Sequence, residues 1–224
     1  MTSRVNIMSR TAHIDLPVMP DLKYEKTLWN EGFHIVAGLD EAGRGAWAGP
    51  VYAAAVVLPN DESMTKSLSG VRDSKQMSAH ERQCWEAQIK SAAVAWAVAS
   101  ASEGEIDEIG IMEATYLAMQ RAIHLLSYPP EHLLVDYVVI RPSTCPQLSL
   151  TKGDCRSLSI AAASVLAKTA RDAFMCAQDA AYPGYGFARH KGYGTPQHLA
   201  ALHTLGLSPF HRKTFRPMKV LNAH

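Results

Sequence analysis

The sequence has few cysteines, no long apolar run and almost no net charge, and each shortage excludes a class of protein. Its four cysteines are far apart and form no C-x-x-C pair, which argues against disulfide frameworks and zinc ribbons and favours reduced thiols. No run of about 18 apolar residues predicts a membrane helix, and the N-terminal segment lacks the apolar centre of a secretory signal. We therefore expect a cytoplasmic protein that does not associate with membranes.

The net charge of +1 hides a strong asymmetry along the chain. Residues 1–151 carry 12 Lys/Arg against 18 Asp/Glu, whereas residues 152–224 carry 10 against 3. A basic surface beside an acidic centre suits a metal-using enzyme that acts on a polyanion. A solvated basic tail would give the same totals, so charge alone leaves both interpretations open.

The hydrophobic pattern predicts an α/β fold in which a mixed sheet is covered by helices. Helices are expected from Ser78 (with a Ser78–Glu81 capping box), over 103–126 with a break at Gly110, over 157–180, and in a last segment that ends at Gly206. Residues 1–30 are predicted as an N-terminal arm or a short helix over "DLKYEKTLWNEGF", and residues 31–224 as the domain. Strands are predicted at 34–43, 50–58, 94–102, 132–140 and, in short form, near 149–154.

Four carboxylates stand out as candidate metal ligands. Asp40 and Glu41 end an apolar strand, and Asp136 interrupts another, where an unpaired buried charge would cost several kcal/mol. Solvated turns or a hydrogen-bonded strand end would explain them equally well, and Asp154 would serve as a helix N-cap. If the four converge, their oxygen-only donor set suits Mg²⁺ or Mn²⁺ rather than zinc.

Small and basic residues near these acids suggest contacts to a nucleic-acid backbone. Ser74 and Lys75 precede a helix N-terminus, and Ser164, Lys168 and Arg171 share one face of the long helix. The alternative is a plain i,i+4 pair of Lys168 with Asp172. The Gly43-Arg44-Gly45 triplet is not a phosphate loop, but its backbone could hydrogen-bond a ligand hydroxyl.

Five motifs in order resemble the bacterial type 2 ribonuclease H family, ribonuclease HII, from about residue 24 to residue 218. They are "GLDEAGRGAWAGPVYAAAVVLP", "RDSKQMS", "LLVDY", "KGDCRSLSIAAASVLAKTARD" and "HKGYGTPQHLAALHTLGLSPFHRKTF". The resemblance implies a ribonuclease-H-like mixed five-stranded sheet flanked by helices, with a helical C-terminal region. It also implies cleavage of the RNA strand of RNA–DNA hybrids and 5′ of ribonucleotides embedded in duplex DNA, leaving 5′-phosphate and 3′-hydroxyl ends.

The resemblance further assigns roles to single residues. Asp40, Glu41, Asp136 and Asp154 match the family's acidic quartet, with Asp40 and Asp136 as shared ligands of Mg²⁺ or Mn²⁺. Gly43, Arg44 and Gly45 match the triplet that reads the 2′-hydroxyl, the group that separates RNA from DNA. Tyr193 matches a tyrosine that recognises RNA–DNA junctions. Matches to backbone contacts are Ser74, Lys75, Ser164, Lys168 and Arg171.

One departure and two rival functions remain open at this point. Tyr137 stands where the family commonly has glycine, which leaves the shape of the loop after Asp136 undetermined. The rivals are a type 3 ribonuclease H, which normally carries an additional N-terminal domain, and a non-catalytic hybrid-binding module whose acids are structural. The expected partners are RNA–DNA hybrid and ribonucleotide-containing duplex DNA, bound by a monomer without an obligate protein partner.

Overall fold

A mixed five-stranded sheet forms the centre of the computed structural model, which describes residues 16–221. The spatial order of the strands is β3-β2-β1-β4-β5. The first three strands in sequence pair antiparallel, and β1, β4 and β5 run parallel. This confirms the fold predicted from the sequence. The strands are β1 Val36–Ala42, β2 Val51–Val57, β3 Ala95–Ala101, β4 His132–Asp136 and β5 Gln147–Leu150.

Helices cover both faces of the sheet and build the C-terminal region. The capping box of Ser78 and Glu81 is present at the start of α3, and Gly110 separates α4 from α5 with a φ of 84°. Within the described residues, none of the helices combines the length and the apolar character needed to cross a bilayer. The helices are α1 Lys23–Asn30, α2 Met64–Ser67, α3 Ala79–Ala92, α4 Glu103–Ile109, α5 Ile111–His124, α6 Leu158–Gln178, α7 Phe187–His190, α8 Pro196–Leu205 and α9 Arg216–Leu221.

Two sequence predictions about element ends are wrong. The strand predicted over 132–140 ends at Asp136, because Tyr137 has a φ of 60° and leaves the extended conformation. Asp154 is not the N-cap of the long helix α6. That position belongs to Ser157, whose hydroxyl accepts a hydrogen bond from the Ile160 amide at 3.3 Å.

The alternation of β1 decides which side chains face α6. Val36 and Ala42 lie in the core that α1, α3 and α6 share with one face of the sheet. Ala37 and Leu39 lie in the second core, between the opposite face and α4–α5. Asp40 has the same parity as Val36 and Ala42, so it starts on the α6 face.

Helix α1 lies within the segment for which the sequence predicted an arm or a short helix, and it fixes the beginning of α6. The Glu25 carboxylate is buried and accepts hydrogen bonds from the Ser157 hydroxyl at 2.6 Å and from the Ser159 amide at 2.9 Å. Burial raises the pKa of Glu25, and these donors oppose the rise. The first 15 residues lie outside the described part, and the boundary at residue 30 stays a prediction.

Close approach of α6 to β1 requires glycine at position 38. A Cβ there would lie 2.3 Å from the Ser159 carbonyl carbon and 2.5 Å from the Ile160 amide nitrogen, both of which are backbone atoms. We expect Gly38→Ala to lower the free energy of unfolding by roughly 1–3 kcal/mol, as measured by urea denaturation, because α6 must shift. Gly104→Ala is the matched control, since its nearest neighbour is 3.8 Å away. An equal effect of the two substitutions would contradict the close-approach argument.

A third cluster of buried side chains builds the C-terminal region beside the loop that follows β1. The buried imidazoles of His198 and His211 are hydrogen-bonded to each other at 3.0 Å inside it. Ala48 belongs to the same cluster, so the loop after β1 and the C-terminal region are packed as one unit. The apolar members are Ala48, Met175, Tyr185, Phe187, Ala201, Leu202, Phe210 and Met218.

Candidate active site

The parallel strands β1 and β4 bring Asp40 and Asp136 to one edge of the sheet. Leu39 is paired with Val135, so the next residues along the two strands are Asp40 and Asp136. The Gly153 amide donates a 2.6 Å hydrogen bond to Oδ1 of Asp136 and ties the loop before α6 to the same edge. Asp154 follows in this loop, within a single turn of 3-10 helix.

Glu41 joins the cluster although it follows Asp40 directly. β1 continues to Ala42, and adjacent strand residues point to opposite faces of the sheet, so Asp40 and Glu41 start on opposite faces. The Glu41 carboxylate nevertheless lies close enough to raise the pKa of both Asp40 and Asp136. Its Oε1 accepts a hydrogen bond from Arg44 Nη1 at 3.1 Å, which anchors the side chain near the loop.

Burial and mutual repulsion disfavour negative charge throughout the quartet. Burial raises the pKa of Asp40 well above its usual range, and the charges of Glu41 and Asp136 raise it further. Burial and the neighbouring Asp154 raise the pKa of Asp136 to about 6. Burial also raises the pKa of Glu41 and of Asp154. Such a cluster is short of positive charge.

Two oxygens of the quartet are left without partners, although the described ligand atoms that converge within 4.8 Å are those of Asp73, Asp154 and Cys155. Asp40 Oδ2 and Glu41 Oε2 are buried and have no hydrogen-bond partner within residues 16–221. A nearby ammonium group is Lys75 Nζ, 3.8 Å from Asp154 Oδ2. Unpaired buried carboxylate oxygens are costly, and a divalent cation with oxygen ligands removes that cost.

The Gly-Arg-Gly loop is held from behind by a buried arginine of the C-terminal region. The Arg212 guanidinium donates to the carbonyls of Gly43 at 2.8 Å, Arg44 at 2.9 Å and Gly49 at 2.8 Å. The reasoning from sequence missed this residue. Its only signal was a basic residue inside the matched segment "SPFHRKTF", which gives no hint that its partners are carbonyl groups of the loop after β1.

Arg171 supports two loops and is not a phosphate contact in this structure. It is 0% exposed and donates to the carbonyls of Pro50 at 3.0 Å, Lys191 at 3.0 Å and Ala48 at 3.1 Å. This corrects the expectation from the helix face: the side chain points toward the site, but the loops cover it. A Cβ at Gly43 would lie 1.9 Å from Arg171 Nε, so only glycine fits there.

The other residues expected to contact a nucleic-acid backbone are partly buried and partly accessible. The Ser74 and Ser164 residues are buried, and their hydroxyls are hydrogen-bonded to each other at 2.8 Å. The Lys75 side chain is 72% exposed and is accessible to a phosphate. Lys168 forms the alternative pair with Asp172, at 2.6 Å, while its ammonium also lies 5.4 Å from the centre of the Tyr193 ring.

Two adjoining clefts collect the candidate residues. The first, of about 430 Å³, is lined by Tyr193 together with Glu41, the Gly-Arg-Gly loop, Lys75 and Lys168. The second, of about 530 Å³, is lined by Asp136, Asp154 and Tyr137, among others, and shares Arg44 and Lys75 with the first. Tyr193, Gly43 and Gly45 thus line one cleft, and Asp136 and Asp154 line the other. Arg44 and Lys75 line both clefts.

Comparison with known proteins agrees with this geometry. The family model described as Ribonuclease HII matches residues 37–218. The Ribonuclease HII of Geobacillus kaustophilus is 50% identical over 198 residues, which cover 88% of this chain and 74% of that protein. The crystal structure of the ribonuclease H2 from Pyrococcus horikoshii OT3 has a TM-score of 0.71 at 25% identity, covering 84% of this chain and 97% of that one.

A more distant structure shows the fold alone. Bst-RNase HIII, crystallised in complex with Mn²⁺, has a TM-score of 0.62 at 19% identity, and the match covers 84% of this chain and 69% of that one. The family match is to type 2 rather than type 3. It also favours an enzyme over the second rival, a hybrid-binding module without catalytic activity. The chain belongs to the ribonuclease HII family and is a metal-dependent ribonuclease H.

Proposed function

We propose that this protein cuts the RNA strand of RNA–DNA hybrids and incises 5′ of ribonucleotides embedded in duplex DNA, leaving 5′-phosphate and 3′-hydroxyl ends. The observation that carries the proposal is the adjacency of two features in one chain segment. Buried carboxylate oxygens without partners, on Asp40 and Glu41, are followed within four residues by the backbone of Gly43–Gly45. Recognition of the sugar and hydrolysis of the phosphodiester thereby use neighbouring parts of one chain segment.

The acidic quartet is the proposed site for Mg²⁺ or Mn²⁺. Asp40 and Asp136 supply the shared ligands, and Glu41 and Asp154 complete the donor set. When bound, the cation supplies Lewis-acid activation of water and neutralisation of charge for phosphodiester hydrolysis. Gly153 orients the Asp136 carboxylate through its amide at 2.6 Å, which leaves Oδ2 of Asp136 for the ion. Lys75 is accessible to a phosphate of the substrate.

The Gly-Arg-Gly backbone is the proposed reader of the 2′-hydroxyl. Arg212 occupies the carbonyls of Gly43 and Arg44. Within the described part of the chain, the amides of Arg44 and Gly45 have no hydrogen-bond acceptor. Gly45 is exposed, and a Cβ there would meet nothing within 4 Å, so a sugar can approach closely. An amide donor then meets the 2′-oxygen of a ribose and has no counterpart on a deoxyribose.

A duplex with one embedded ribonucleotide tests the proposal. We expect Mg²⁺-dependent incision on the 5′ side of the ribonucleotide, with a 3′-hydroxyl on the upstream fragment and a 5′-phosphate on the downstream one. An all-DNA duplex of the same sequence is the control and should stay intact. Robust cutting of a uniform RNA–DNA hybrid without incision at the single ribonucleotide would overturn the proposed specificity while leaving the hydrolase activity in place.

We also propose that the protein acts as a cytoplasmic monomer. The residues assigned to the metal, the sugar and the junction come from one chain, and all of them except the buried Asp40 line the two adjoining clefts. The four cysteines are free thiols, which fits a reducing compartment. Sedimentation of the purified protein at micromolar concentration should give a single species of about 24.5 kDa.

A further inference from the structure

Tyr137 adopts a backbone conformation that a bulky side chain rarely takes. It follows Asp136 directly, has a φ of 60°, and its side chain is 63% exposed. In the left-handed conformation Cβ lies too close to the carbonyl oxygen, which raises the free energy of an aromatic residue there. Glycine has no Cβ and avoids this steric strain. Its amide donates to the Leu150 carbonyl at 3.0 Å, a bond that any residue except proline could make.

Within the described residues, no side-chain hydrogen bond and no packing in the hydrophobic cores compensates for the backbone strain at Tyr137. Its hydroxyl has no hydrogen bond there, and its ring takes no part in the aromatic clusters of the cores. Residues with strained backbone are concentrated at functional sites. We therefore look for a function of Tyr137 in its exposed ring.

The ring lies beside the acids that the active site uses. Tyr137 lines the cleft of about 530 Å³ with Asp136, Asp154 and Lys152. Lys152 is also left-handed, with a φ of 55°, and is exposed. An aromatic face and an ammonium group thus flank the acidic residues in the cleft next to that of Tyr193. Single-stranded nucleic acids are bound by this combination of ring and cation.

We propose that Tyr137 is a second aromatic substrate contact, which packs on a sugar or base on the Asp154 side of the cleaved bond. Tyr193 then contacts the nucleic acid in the cleft that holds Glu41 and the Gly-Arg-Gly loop, and Tyr137 contacts it in the cleft that holds Asp136 and Asp154. Every nucleotide has an apolar face, so the contact is independent of sequence and strengthens binding in general. This inference rests on the proposed function, since it takes the acidic quartet as the point of cleavage.

Three substitutions at position 137 distinguish a residue that contacts substrate from a strained residue that has no role in binding. Tyr137→Gly and Tyr137→Asn both relieve the left-handed conformation, and Asn does so without the added flexibility of glycine. We expect both to raise the melting temperature by a few degrees and to raise KM on a uniform RNA–DNA hybrid by roughly tenfold, with kcat within about twofold. Tyr137→Phe keeps the ring and should leave KM and the melting temperature close to those of the parent. Tyr128→Ala removes another exposed tyrosine, outside both clefts, and should leave KM unchanged.

The opposite signs of the stability and binding effects make the outcome decisive. A higher melting temperature with unchanged KM in the Gly and Asn variants would show an idle strained residue and overturn the proposal. A lower melting temperature would show a packing role and would also overturn it. Because these ratios are measured on a uniform hybrid, they hold if the parent protein fails to incise a single embedded ribonucleotide, the result that would defeat the proposed specificity instead.

Discussion

Asp40→Asn should reduce Mg²⁺-dependent cleavage by more than about 100-fold and at the same time stabilise the protein in metal-free buffer. Replacing even an indirect partner of a metal ligand costs about 10- to 100-fold, so loss of a direct charged ligand should cost more. The stability gain follows from the structure, because the Asp40 carboxylate is buried, is repelled by Glu41 and Asp136, and has an unpartnered Oδ2. Asparagine keeps the shape and removes the charge.

The pH dependence of that gain has a defined sign. The folded-state pKa of Asp40 lies well above its usual range, so the native state binds more protons than the unfolded chain between the two values. The charged carboxylate therefore destabilises the native state above the folded pKa, and this penalty disappears as pH falls toward about 4. The advantage of Asp40→Asn should be largest at neutral and alkaline pH and vanish near pH 4.

Thermal unfolding in EDTA across pH 4–8, beside cleavage assays in Mg²⁺, measures both effects. Glu113→Gln is the matched control, because Glu113 is an exposed acid in the first turn of α5, outside both clefts. It should change unfolding by no more than about 0.5 kcal/mol and leave cleavage intact. Near-normal cleavage by Asp40→Asn, or a lower melting temperature at pH 8 without metal, would contradict the metal-site account.

Tyr193→Ala should slow incision at a single embedded ribonucleotide by about 10- to 100-fold, whereas Tyr193→Phe should lose much less. Packing or stacking of a ring on a nucleotide is worth about 1–3 kcal/mol, which converts to that range of rates. The Tyr193 ring lies near Lys168 and 5.2 Å from the Arg171 guanidinium, in the same cleft as the Gly-Arg-Gly loop. These contacts hold the ring in place and depend on its face rather than its hydroxyl.

The fold should tolerate the loss of the Tyr193 ring. The residue's amide donates to the His190 carbonyl at 2.9 Å, and its own carbonyl is 3.0 Å from Nδ1 of His198, so the backbone contacts survive substitution. The alternative is that Tyr193 merely packs the C-terminal helix. That role predicts a lower melting temperature and equal slowing on a single-ribonucleotide duplex and a uniform hybrid. Single-turnover rates on the two substrates, with melting curves, separate the two roles, and equal impairment of the Phe and Ala variants would contradict junction sensing.

The sequence predicted the position of the acids better than the exposure of their neighbours. Asp40 and Asp136 lie side by side because β1 and β4 are parallel neighbours. The resemblance grouped these two acids, whereas the hydrophobic pattern predicted a mixed sheet without the order of its strands. For Ser164 and Arg171 the helical spacing predicted the correct face of α6, but it did not predict that both side chains are buried. The cover over Arg171 comes from Ala48, Pro50 and Lys191, segments about 20 and 120 residues away in sequence, and helical spacing holds no information about them.

The ends of elements were predicted poorly where a single backbone angle decides them. The apolar residues after Asp136 favour a longer strand, yet the left-handed Tyr137 stops it, and nothing in the side-chain pattern indicates that angle. Asp154 is a good N-cap residue by type, but a short 3-10 turn intervenes and gives that position to Ser157. Tyr137 and Asp154 both line the cleft of about 530 Å³.

Direct measurement of Mn²⁺ binding without substrate tests the central claim that the acidic quartet is a metal site. Electron paramagnetic resonance reports free Mn²⁺ as protein is titrated, and it does so independently of cleavage. The parent protein should bind Mn²⁺, and the double variant Asp40→Asn with Asp136→Asn should bind at least about tenfold more weakly, while Glu113→Gln binds as the parent does. Undiminished binding by the double variant would show that the ion is held elsewhere and contradict the account.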